Sequence, residues 1–246
     1  MNWRLTAFVF VVAAVAAVVL LRSGDNAADP VGEALLPDLW TSIPFELVLE
    51  DVDGRTVLRF TSEVNNKGEG DLLLRGDPNG NVQQWVAHSQ SSHTTAPVDV
   101  EVVWGGDTHE HWHIEDVARY WVANLDGTPV GEAFDNKVGF CIFDSINFMS
   151  GLPGAPDEVR HESAGCGTRL GPEIAMGLSV GWGDQYRFNL EGQFIDVSGL
   201  APGTYLLMAE VDPDKRFQEI DRTNNTAATE FTLQIQNGQR SISRGG

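Results

Sequence analysis

The sequence predicts an all-β sandwich with long irregular loops and little helix, and three observations predict it. β-Rich stretches recur along the chain, turn-forming residues separate them, and no long stretch keeps the apolar period of a helix. In chain order the stretches run over residues 45–50, 56–64, 82–88, 98–104, 119–125, 138–143, 186–191, 193–197, 204–211 and 228–235. Asp53-Gly54, the run from Asn66 to Gly70, the run from Asp77 to Gly80, Asp126-Gly127 and Ala201-Pro-Gly203 punctuate them. Strands of this length between such turns are the pattern of a sandwich. Residues 147–180 are rich in Gly and Pro and hold no clear strand, and loops that long in a compact domain are either functional or disordered. No internal repeat is evident.

The ends read differently. After Arg4 an apolar run spans residues 5–21 and has no polar face, unlike a helix packed on a core. It predicts an export signal or an uncleaved membrane anchor over residues 1–28. A single domain is expected over 29–238, and residues 239–246 read as a frayed tail. The protein is then secreted, or anchored to the outer face of a membrane through its N-terminal segment alone.

A formal net charge of −19 argues against nucleic acid and against docking on anionic lipid. It suits cationic partners such as amines or lysine-rich proteins, and it serves solubility in any case. The two cysteines, Cys141 and Cys166, are expected to pair in an oxidising compartment.

Chemistry concentrates in the run His109-Glu110-His111-Trp112-His113. On a strand, residues i, i+2 and i+4 project from one face about 6 to 7 Å apart, close enough for three imidazoles to meet one ion. Three of the six histidines fall within five residues, which favours a mononuclear metal site over scattered surface histidines. Imidazole suits copper, zinc, iron or nickel, with Cu(II) highest in the affinity order. Three protein ligands leave positions open for water, oxygen or substrate. Asp116, three residues beyond His113, is a candidate base or a partner of a ligand histidine, and equally a plain surface carboxylate.

Several separated stretches together resemble the catalytic domain of the lysyl oxidase family. They are Val57-Leu-Arg-Phe60 with Val64-Asn-Asn-Lys-Gly68, the His109 to His113 run, Asn124-Leu-Asp-Gly-Thr128, Asn136-Lys-Val-Gly-Phe-Cys141 and Asp184-Gln-Tyr-Arg187. Gln193-Phe-Ile-Asp196, Pro202-Gly-Thr-Tyr205 and Glu219-Ile-Asp-Arg-Thr-Asn-Asn225 continue the series in collinear order. The resemblance implies a copper amine oxidase that converts primary amines, peptidyl lysine among them, to aldehydes with release of ammonia and hydrogen peroxide, using molecular oxygen. It places copper on His109, His111 and His113, and a lysine tyrosylquinone on Lys137 and Tyr186. Without the resemblance Lys137 reads as a solvated surface lysine and Tyr186 as a half-buried strand residue.

The same resemblance implies a calcium site from Glu219, Asp221, Asn224 and Asn225, completed by Asp38 and Leu39, since hard cations take oxygen ligands. Read alone, that cluster is equally an Asx-rich turn. The chain also departs from the family. One disulfide is possible where animal members have several, Tyr120 stands where a histidine is frequent, and Asn136 rather than histidine precedes Lys137. Two rival readings have sequence support. His109-x-His111 followed by Glu115 is half of a cupin signature, without its flanking glycines or second half. Gly203-Thr-Tyr-Leu-Leu-Met208 and Asn224-Asn225 recur in Ig-like, non-enzymatic surface or adhesion modules, here a metal-binding one. The Lys137 and Tyr186 pair discriminates, because a binding module has no use for it.

Overall fold

A computed structural model describes residues 32–89, 92–106, 109–134 and 139–244. The apolar run at 5–21 and Lys137 lie outside the described residues, as does the side chain of His109. Among the described residues no helix is long and apolar enough to cross a membrane. Gly32 to Gly246 form one compact unit.

The elements are β1 (Leu39–Thr41), β2 (Phe45–Val52), β3 (Arg55–Asn66), β4 (Leu72–Gly76), β5 (Val82–Ser89), β6 (Ser92–Val98), β7 (Val102–Gly106), β8 (His109–Ile114), β9 (Ala118–Ala123), β10 (Pro129–Phe134) and β11 (Ile146–Asn147). After a 3-10 turn at Ser163–Cys166 follow β12 (Ile174–Leu178), β13 (Trp182–Tyr186), β14 (Phe194–Asp196), β15 (Gly203–Val211), β16 (Thr226–Gln236) and β17 (Gln239–Arg244). Every named pairing is antiparallel. One sheet runs β1-β3-β13-β11, with β2 and β14 also on β3; a second runs β10-β9-β15-β16-β17; a third runs β12-β4-β5-β6; β7 and β8 form a ribbon. The all-β class follows.

Periodicity explains the core. In β9 and β15 the residues Tyr120, Val122, Leu207, Ala209 and Val211 are buried, at the period of two that turns one sheet face inward. They meet β3 of the first sheet, where Leu58, Phe60, Ser62 and Val64 are buried at the same period. Phe60 and Tyr120 cross this interface edge to face, with ring centroids 5.0 Å apart.

Residues 187–191 are not a strand, β4, β10 and all of β6 but Val98 lie outside the expected stretches, and three further segments differ from expectation. Residues 239–244, read as a tail, pair along β16, because Asn237 and Gly238 both take positive φ (52° and 80°) and close a two-residue hairpin. Asp53-Gly54 makes the same turn between β2 and β3. The stretch 138–143 is not a strand in its described part and joins the ribbon through an Ile114–Phe140 bridge. Within 147–180, where no strand is expected, Ile174 to Leu178 pair with β4.

Candidate active site

The ribbon carries the histidines. On β8, Trp112 stands opposite Trp104 of β7, and His113 opposite Val103. His113 is buried and His111 half-buried, and their rings lie 4.8 Å apart at 68°. Alternation therefore brings two of the three predicted ligands side by side. Between Trp112 and His109 the register shifts, three steps on β8 matching two on β7 from Trp104 to Gly106. Such an irregularity breaks strict alternation and is common where a strand re-aims a residue beside a site.

The segment that follows Lys137 is fastened to this strand. Ile114 N–H donates to the Phe140 carbonyl at 2.9 Å, and Phe140 N–H donates to the Ile114 carbonyl at 2.8 Å. Gly139 permits the approach for two reasons. Its φ of 127° disfavours any side chain, and a Cβ there would lie 2.9 Å from the His113 Cβ. Two residues beyond Lys137, the backbone thus rests against His113.

Tyr186 ends β13 in the same neighbourhood. Its ring stands edge to face on Phe140, with centroids 5.0 Å apart. Its hydroxyl lies 3.0 Å from the Cys141 carbonyl and 2.5 Å from Asp184 Oδ2, both of them acceptors. Burial first, and then the Asp184 carboxylate, push the phenol well above its ordinary value near 10. The side chain is held as a neutral phenol.

The disulfide ties these parts together. Cys141 and Cys166 are joined, with Cα atoms 5.7 Å apart, and the loop beyond Cys166 accepts a hydrogen bond at the Thr168 carbonyl from Trp112 Nε1 at 3.0 Å. One loop is therefore fixed both to the residue whose carbonyl meets Tyr186 and to the back of the histidine strand. Replacing both cysteines by alanine is expected to cost about 3.5 kcal/mol, from the closure entropy of the 25-residue separation. A thermal midpoint within a degree or two of the native protein's would overturn this.

Asp116 sits in the β8–β9 turn with φ 57°, its side chain exposed and 3.5 Å from Arg216 Nη2. This is the surface placement among the roles the sequence leaves open. Other side chains escaped the sequence reading. Asp184 precedes Tyr186 by two and so shares its face of the strand, a signal the spacing contained. Ser62 stands directly opposite Tyr186 in the β3–β13 ladder, and its hydroxyl is 2.8 Å from that of Tyr120 and accepts from Gln193 Nε2 at 3.1 Å. All three of these polar residues are buried. The phenol of Tyr120 thus occupies the interior beside Ser62, the residue opposite Tyr186.

Five of the six expected oxygen-site residues do converge. Glu219 accepts from Leu39 N–H at 3.1 Å and from Asn225 Nδ2 at 2.9 Å, and Asn224 Nδ2 donates to Asp38 at 2.8 Å. Asp221 turns away, accepting from the Thr223 N–H and hydroxyl. The side-chain oxygens of Asn224 and Asn225 are buried and find no hydrogen-bond partner among the described residues. Unpaired buried carbonyl oxygens beside carboxylates are a donor set that fits a hard cation.

A sequence model of the lysyl oxidase family matches residues 45–241. Lysyl oxidase homolog 2B of Danio rerio is 29% identical over 172 residues, covering 70% of this chain and 18% of the relative. Lysyl oxidase homolog 2 of Gallus gallus is 29% identical over 172 residues, covering 70% of this chain and 17% of the relative. The chain thus matches less than a fifth of the length of these relatives.

Proposed function

We propose, for a chain that belongs to the lysyl oxidase family, a copper-dependent amine oxidase that acts on primary amines, the side chain of peptidyl lysine included. The observation that carries this reading is the convergence of His111, His113, Gly139, Phe140 and Tyr186 at one place. His111 and His113, with His109, would hold copper, and the neutral-imidazole donor set suits that ion. Tyr186 and Lys137 would supply the quinone. Copper and quinone together supply the two-electron oxidation of the amine. The net reaction consumes amine, oxygen and water and yields aldehyde, ammonia and hydrogen peroxide.

The chain's own residues prepare that site. Asp184 and the Cys141 carbonyl hold the Tyr186 hydroxyl at a fixed point, and Phe140 limits rotation of the ring. Burial of His113 and Tyr186 keeps bulk water from the reacting region, which strengthens every charge interaction there. The acidic surface raises the local concentration of a cationic amine. Export belongs to the same proposal, and the disulfide accords with it. At the oxygen cluster, Asp38, Glu219, Asn224 and Asn225 would take calcium, with Leu39 supplying a backbone group and Asp221 able to join by rotation.

Peptide mapping of copper-loaded protein held in air tests the reading. Tryptic peptides containing Lys137 and Tyr186 should be recovered cross-linked, and primary amines should elicit hydrogen peroxide. Separate, unmodified peptides together with no amine-dependent peroxide would sink it and leave a metal-binding sandwich module as the account.

A further inference from the structure

The oxygen cluster already contains a cation of the chain's own. Arg222 Nη1 lies 2.6 Å from Asp212 Oδ2 and 3.0 Å from Glu219 Oε1, and its Nη2 donates to the Phe217 carbonyl. The Asp212 and Glu219 side chains it bridges are buried almost completely, while the arginine is about one third exposed, at 31%. Asp212 also accepts from the Arg216 and Phe217 N–H groups, so its position is fixed. Asn225 Nδ2 donates to both the Val211 carbonyl and Glu219, which orients the amide, and its oxygen is buried without a hydrogen-bond partner among the described residues. The remaining carboxylate, Asp38, has Lys67 at 3.8 Å.

We infer that Arg222 is the resident cation of this cluster and competes with calcium for it. A divalent ion taking Glu219 Oε1 competes with a guanidinium that bridges two buried carboxylates, and drawing that guanidinium away would leave Asp212 without its charge partner. The native protein therefore holds calcium weakly, and the loop between β15 and β16, whose Glu219 accepts from Leu39 N–H of β1, is closed on itself by an internal ion pair. Removing the arginine charge converts the same oxygens into a calcium-dependent closure. The inference rests on the calcium reading above.

Calcium titration calorimetry and thermal unfolding of copper-loaded protein, prepared in calcium-free buffer, test it. Native protein should show a midpoint indifferent to millimolar calcium. Arg222→Gln should bind calcium at least tenfold more tightly, with a midpoint rise of roughly 5–10 °C at a hundred times its Kd. Should that variant not fold without calcium, Asp212→Asn with Arg222→Gln removes the uncompensated carboxylate and supplies the same comparison. Folding of the single variant only on calcium addition counts in favour. Equal, tight binding by native protein and variant would overturn the role of Arg222 and leave the calcium site standing. Absence of binding in both variants would overturn the calcium reading, and the inference with it.

Discussion

His113→Ala should remove nearly all bound copper and all amine-dependent peroxide while leaving a folded sandwich. The residue is 8% exposed, and its ring packs against that of His111, so its loss takes one nitrogen donor out of a paired set. Changing a group that only supports a ligand costs ten- to a hundredfold in metal affinity, so loss of the ligand itself should exceed about a hundredfold. The strand should survive. Backbone bonds from Ile114 to Phe140 and the β7 pairing do not involve the imidazole. His111→Ala should behave in the same way, with circular dichroism unchanged in both. Elemental analysis of the purified variants decides the matter, and native copper content in either one would remove it from the ligand set.

How far the sequence could be read depended on whether a signal was local. The strand β8 and its alternation were legible because histidines at a spacing of two need only a pleat to meet. The irregularity near His109 was not, since it depends on pairing with β7. Asp53-Gly54 announced its hairpin, and Asn237-Gly238 has the same chemistry but follows the last apolar stretch, where β17 offers only Ile242 to a core. The strand is specified by its turn more than by its side chains. Asp184 was readable from its spacing to Tyr186, whereas Ser62 and Tyr120 could not be, because they come from strands in two different sheets. Arg222 was hidden for a further reason. An arginine within an Asx-rich turn has the appearance of a solvated charge until Asp212, ten residues earlier, is seen to face it.

Tyr186→Phe should separate the metal site from the chemistry built beside it. The ring retains its packing on Phe140, and only the hydroxyl, with its contacts to the Cys141 carbonyl and Asp184, is lost. Copper content should match the native protein. The cross-link to Lys137, reaction with phenylhydrazine, and peroxide production should fall to background. A second readout comes from the phenol itself in metal-free protein. Its folded-state value is raised above the unfolded value near 10, so the native state holds this proton more tightly than the unfolded chain does. The resulting stability is complete below about pH 10 and is lost as pH rises beyond it. Phenylalanine has no proton to lose. The difference in stability between native protein and variant should therefore stay level up to about pH 9 and shift against the native protein above about pH 10. A difference that stays level throughout would show that Tyr186 is not held as the buried neutral phenol. Amine-dependent peroxide from the Phe variant would remove this side chain from the chemistry, whatever its titration.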